Sequence, residues 1–159
     1  ISAEYETLPQ EPVAALMREV KITNVTGEDL AVEAADGMAE VIPCGVSSTT
    51  MKDMGQTAKA WMEVRDVRNG VPKFRVRASM EDSAEVTEAE GMNFAFARGG
   101  EGEILPVIVD RELLFETDTA LLRAWGFERE GVRLPDHKEQ VTCNDTPCSF
   151  FLASRILKP

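Results

Sequence analysis

Residue types able to do chemistry are sparse in this sequence. It holds one histidine, His137, and three cysteines, Cys44, Cys143 and Cys148. His137, Cys143 and Cys148 fall within a twelve-residue stretch and could share an ion. Neither a second nearby histidine nor a cysteine pair at zinc-finger spacing accompanies them, so no resident metal and no cofactor is expected. A nucleophilic triad would have only His137 as its base, and no Gly-x-Ser-x-Gly elbow is present. Gly99-Gly100-Glu101-Gly102 is glycine-rich but acidic. A phosphate cradle needs free amides at a helix start without an adjacent carboxylate. Carboxylates are abundant, with 28 Asp and Glu. Glu63, Asp66, Asp110 and Asp118 fall at strand ends, and Glu81-Asp82 adjoins Ser83. Glycoside hydrolysis needs two carboxyls at ~5 Å or ~6.5–9.5 Å. Among so many acids such a pair arises by accident, so no catalytic residue is named and the chain itself is not expected to turn over a substrate.

The length of 159 residues suits one domain with a sizeable core. A hydrophobic content of 43% excludes a disordered chain, and no apolar run approaches the ~18 residues of a membrane span. The net charge of −11 repels phosphate backbones and anionic lipid, which argues against nucleic acid and membranes as partners. The densest basic stretch, Lys73, Arg75 and Arg77, alternates with Phe74, Val76 and Ala78 and reads as the wet face of a strand. An odd, sparse cysteine count and an acidic N-terminus point to a reduced, cytoplasmic protein without a signal peptide. A Cys143–Cys148 bridge stays open at this level, and the sequons at Asn24 and Asn144 are chance-level matches. A start without Met and an end at Leu157-Lys158-Pro159 suggest a segment of a longer multidomain polypeptide.

Periodicity supplies the elements. Residues 13–23 and 30–34 alternate apolar and polar around Asn24-Val25-Thr26-Gly27-Glu28-Asp29, which predicts a β-hairpin. Asp36-Gly37 and Pro43-Cys44-Gly45 read as turns. Met51, Met54, Ala58 and Met62 recur at near-helical spacing, predicting a short helix over 49–60, capped by Ser48 or Thr49, with its methionines in the core. Residues 61–79 form a second hairpin whose Arg68-Asn69-Gly70 suits a type I′ turn. Residues 81–91 are acidic with Val86 as their one large apolar residue, Met92, Phe94 and Phe96 form the next strand, and 104–109 is apolar apart from Pro106. A short helix near 119–125, a polar loop over 131–142 and a last strand over 149–157 complete the list. About eight strands with one or two short helices, and no βαβ rhythm, predict a mainly β, antiparallel sandwich.

Several segments resemble the N-terminal β-sandwich of cellobiose-phosphorylase-like proteins, a kind of glycosyltransferase. They are Leu16-Met17-Arg18-Glu19-Val20-Lys21-Ile22-Thr23-Asn24, Leu30-Ala31-Val32-Glu33-Ala34-Ala35-Asp36-Gly37 with Ile42-Pro43-Cys44-Gly45-Val46, Arg75-Val76-Arg77-Ala78-Ser79-Met80-Glu81-Asp82-Ser83, and Val107-Ile108-Val109-Asp110 with Leu114-Phe115-Glu116-Thr117-Asp118-Thr119. The resemblance spans about residues 13–157. It implies a galactose-mutarotase-like super-sandwich that packs against a helical (α/α)6 barrel. In such enzymes the barrel holds the catalytic acid and the phosphate site, and they cleave β-glucosides with phosphate or act as related hydrolases and transferases. No catalytic residue of the family therefore transfers to this chain. The expected role is an accessory, non-catalytic domain of a carbohydrate-active enzyme that supports the barrel, contributes to a homodimer or edges a carbohydrate cleft. Trp61, Phe115 and Trp125 are the candidates for sugar stacking or interdomain packing. The alternative is a free-standing binding or interaction β-sandwich module unrelated to sugars.

Overall fold

A computed structural model describes residues 1–79, 84–85, 89–131 and 139–159. His137, the acidic Glu81-Asp82-Ser83 and Val86 lie outside the described residues, as does most of the expected 131–142 loop. The described strands form three small antiparallel sheets, so the chain is mainly β and sandwich-like. It divides into two compact units, residues 1–32 with 155–159 and residues 33–154.

In the first unit, β1 (Ser2–Thr7) pairs antiparallel with β2 (Leu16–Lys21), Ser2 opposite Lys21 and Thr7 opposite Leu16. Tyr5 opposes Arg18, whose guanidinium lies 5.4 Å from the ring centroid. Both faces are largely exposed, with Tyr5 at 63% and Leu16 at 67%. The expected hairpin partner of β2 was the segment after residue 30. That segment instead becomes β3 (Leu30–Met38), in a different sheet. The Asn24-to-Asp29 turn does form: Asn24 Oδ1 accepts from Thr26 N at 2.9 Å, and Asn24 Nδ2 donates to the carbonyls of Glu28 and Leu157 at 2.8 and 3.0 Å.

Asp36-Gly37 is not a turn, because β3 runs straight through it. Its neighbour in the sheet is the last strand, β8 (Ser149–Leu157), which lies between β3 and β7 (Val107–Ile108). A Cβ at Gly37 would sit 1.8 Å from the Ser149 carbonyl oxygen. Glycine is present there for close backbone approach, a role that sequence statistics cannot separate from a turn.

Helix α1 (Ser48–Lys59) starts one residue earlier than expected, with Ser47 Oγ accepting from Thr50 N at 3.0 Å. Its backbone kinks at Met54 (φ −136°, ψ 30°), ahead of Gly55. The methionine stripe is only partly core: Ala58 is buried, Met54 is 48% exposed, and Met62 is buried as the first residue of β4 (Met62–Arg65). β4 pairs with β5 (Lys73–Val76), Met62 opposite Val76, as the second hairpin predicted. Its connection differs from a two-residue type I′ turn. Val67–Asn69 forms a single 3-10 turn flanked by left-handed Asp66 (φ 59°) and Gly70 (φ 68°). β6 (Asn93–Phe94) adds to the outer side of β5.

The core of the second unit explains the longest apolar runs. Val107, Val109 and Phe151 meet Val64 of β4 and Phe74 of β5 in one buried cluster. Ile108, Cys148 and Leu152 meet Leu114 and Phe115 in another. Those two belong to the short helix α2 (Glu112–Phe115), and Phe127 of α3 (Trp125–Glu130) packs on the same cluster. The β7–β8 pair is thus the middle layer, a sheet on one side and helices on the other. A strand buried on both faces reads as continuous apolar sequence. Buried Gln140 serves the edge of β7: its Oε1 accepts from Val109 N at 2.7 Å and its Nε2 donates to the Val107 carbonyl at 3.2 Å.

The cysteines are free. Cys44 and Cys143 are exposed and Cys148 is buried, so the Cys143–Cys148 bridge does not form. Burial, reinforced by the nearby Asp110 charge, pushes the Cys148 thiol up to about 12. Since the thiolate is the nucleophile, a thiol reagent at neutral pH is expected to label two cysteines in the folded protein and the third only in denaturant. Mass spectrometry of the labelled protein reads the outcome directly.

Candidate functional site

The three aromatic candidates separate cleanly. Phe115 is 5% exposed and meets Phe150 edge-on, with ring centroids 5.7 Å apart. It is core and cannot stack a ligand. Trp61 is half-buried at the junction of α1 and β4, where its carbonyl accepts from Arg77 N at 2.9 Å. Trp125 alone is open, at 40% exposure, as the first residue of α3.

Trp125 stands in a loop held by one carboxylate. Asp118 Oδ1 accepts from Ala120 N at 3.0 Å, while its Oδ2 accepts from Leu122 N and Arg123 N at 3.0 and 2.9 Å. These bonds replace the helix expected over 119–125: an Asp that gathers the following amides competes with helical bonding. Leu121 takes a left-handed φ of 54° and turns inward, leaving Leu122 86% exposed. Arg123 then lies 3.7 Å from the Trp125 ring centroid, gripped by Glu128 through Nε at 2.8 and 2.9 Å and Nη2 at 2.6 Å. Gly126 seats α3 on the end of α2, where a Cβ would come 2.1 Å from the Leu113 carbonyl oxygen. The result is a fixed surface of Trp125, Arg123 and Leu122. Trp and Arg are enriched among contact residues that dominate protein interfaces. One face of the indole is already occupied by the guanidinium, so a sugar has at most the other to stack on.

The amide bonds, that from Arg123 first, hold the Asp118 carboxyl below its ordinary 3.8. A depressed folded value means the ionised form supports the loop above the unfolded value, and that support is lost as pH falls through the folded one. Trp125 fluorescence in a Trp61→Phe variant is therefore expected to be flat from neutral pH down to 3.8 and to change only in stronger acid. In Asp118→Asn the part of the transition owed to Asp118 should disappear, leaving that of Glu128, whose carboxyl the Arg123 guanidinium likewise holds below its ordinary value.

Other candidates converge less. A hollow of about 300 Å³ is lined by Val64, Asp66, Val67, Arg68, Asn69 and Thr142, but Asp66 is engaged by Lys73 Nζ at 2.7 Å. Asp110 accepts from Glu112 N at 3.0 Å and Val141 N at 2.9 Å, which pins residues 140–141 to the start of α2. Glu63 is shared by Arg65 and Arg75 at 2.8 and 3.9 Å. These acids are spent on structure. Among the described residues, no group of three or more His, Cys, Asp or Glu is placed to hold a metal ion. No described helix is long and apolar enough to cross a membrane. Sequence reasoning selected Trp125 by type but missed Asp118, Arg123 and Glu128 as its supports, since no periodic signal marks side chains that meet in an irregular loop.

No family model, curated protein or solved structure matches the chain.

Proposed function

We propose that this chain is a non-catalytic β domain that works by contact, and that it is the accessory domain of a carbohydrate-active enzyme of the sugar-phosphorylase kind. The observation that carries the contact role is the 118–128 loop, which holds Leu122 and Trp125 outward on a framework of charged hydrogen bonds. Fixing two large apolar side chains in solvent costs free energy, which a partner surface recovers on burying them. The narrower identity rests on the segment resemblance, which implies a helical barrel as that partner. On this reading Trp125 and Leu122 pack on the barrel, and the chemistry belongs to it.

Two measurements test this. The reading frame beyond Pro159 should continue into a long stretch of helical periodicity, whereas a stop codon there overturns the accessory-domain reading. Incubating the chain with β-glucosidic disaccharides and inorganic phosphate should give no sugar phosphate. Turnover would overturn the non-catalytic reading.

A further inference from the structure

Asn69 stands apart from the other asparagines of the chain. The sequence holds four, and Asn69 is the one followed by glycine; Val25, Phe94 and Asp145 follow the others. Those three side chains are engaged. Asn24 Oδ1 accepts from Thr26 N at 2.9 Å, Asn93 Oδ1 from Cys44 N at 2.5 Å and Asn144 Oδ1 from Arg77 Nη2 at 2.6 Å. Asn69 is exposed and lines the hollow beside Asp66, and its side chain makes no hydrogen bond among the described residues. It is free to turn toward its own backbone.

The residue after an asparagine decides how readily its amide nitrogen reaches the side chain. Glycine has no Cβ to shield that nitrogen and adopts the required backbone geometry freely. The fold also demands glycine at position 70. Its φ is +68°, and a Cβ there would come 2.5 Å from Ile104 Cγ2 and 3.1 Å from the Leu105 carbonyl oxygen. A bulkier follower, which would protect Asn69, does not fit. The labile pair is therefore built into the β4–β5 connection.

We propose that Asn69 is a modification site, where the side chain deamidates to aspartate and isoaspartate, and that opening of the 66–70 turn gates the reaction. The Gly70 nitrogen, its proton taken by hydroxide, forms a bond to Asn69 Cγ. The Cγ–Nδ2 bond breaks, and ammonia leaves with a proton from water. A further water opens the cyclic imide at either carbonyl, which gives the two products. In the closed turn Gly70 N donates to the Val67 carbonyl and Asn69 N to the Asp66 carbonyl, both at 3.1 Å. The first of these bonds holds the proton that must leave, so the turn opens before the ring closes. Short exposed turns open at the low end of local stability. Two backbone bonds of modest net strength slow the reaction by on the order of tenfold relative to the unfolded chain. Isoaspartate adds a methylene to the backbone beside Gly70, which already lies against Ile104. The turn then cannot reclose in place, and a second carboxylate joins Asp66.

Incubating the full chain at mildly alkaline pH, in buffer and in guanidinium chloride, tests this, with peptide mapping by mass spectrometry following each asparagine. In buffer Asn69 is expected to convert to a mixture of aspartate and isoaspartate while Asn24, Asn93 and Asn144 stay amides. In denaturant the Asn69 rate should rise by on the order of tenfold. An Asn69 that stays an amide in the folded chain overturns the proposal. So does an equal rate in the two conditions, which removes the gate, or faster conversion of another asparagine in buffer. Anion exchange then isolates the isoaspartate form, which should unfold at a lower urea midpoint than Asn69→Asp, a variant with the same charge and no added methylene. Equal midpoints would overturn the consequence drawn for the turn.

Discussion

Replacing Gly37 by alanine is expected to lower stability by roughly 3 kcal/mol or more, and by valine to prevent folding. The cause is geometric. The new Cβ would lie 1.8 Å from the Ser149 carbonyl oxygen and 2.7 Å from Phe150 Cα, both backbone atoms of β8. A flexible side chain could swing aside, but here the strand itself must move. β8 carries Phe151 into one buried cluster and Leu152 into the other, so its displacement disturbs both. Domains of this size hold about 5–15 kcal/mol in all, so the substitution removes a large share. Urea denaturation followed by far-ultraviolet circular dichroism reads the loss. A midpoint within error of the parent would show that β3 and β8 do not approach as described.

Phe74→Ala is expected to cost about 3–5 kcal/mol, while Phe94→Ala, its near neighbour across β5 and β6, should cost under about 1 kcal/mol. Phe74 is fully buried among Val41, Val64, Val107, Val109 and Phe151, and its removal leaves a cavity between two sheets. Phe94 opposes Lys73 on the outer face at 49% exposure. The pair tests which face of the sheet is the core, because the two residues are chemically identical and differ only in the side they occupy. Equal losses in thermal or urea unfolding would contradict the orientation.

Where one physical signal dominated, the sequence was legible. The last strand was located correctly because Ser149 to Leu157 is bounded by polar sequence and rich in β-forming residues. The 61–79 hairpin was legible because Phe74 and Val76 alternate with charge, and the helix near 49–60 because Met51, Met54 and Ala58 recur at near-helical spacing, although its cap is Ser47 and not Ser48 or Thr49. Conflicting signals hid the rest. Asp36-Gly37 has turn composition, but the glycine is needed for strand approach. β1 offers little apolar pattern because both of its faces are wet. Phe94 and Phe96 mark a strand by their spacing, yet spacing alone does not show that the small alanines face the core. At the candidate site, Trp125 is visible by type. Its supports are not, since Asp118 acts on backbone amides, which carry no sequence identity.

The most direct test of a contact role is acrylamide quenching of Trp125 in a Trp61→Phe background, in this chain alone and in the longer polypeptide that the proposed accessory-domain reading requires. In the chain alone the indole should be accessible, as its 40% exposure requires. In the polypeptide that reading requires, quenching should fall sharply, and Leu122→Asp should restore it by weakening the packing. Equal quenching in the two forms would contradict the contact role.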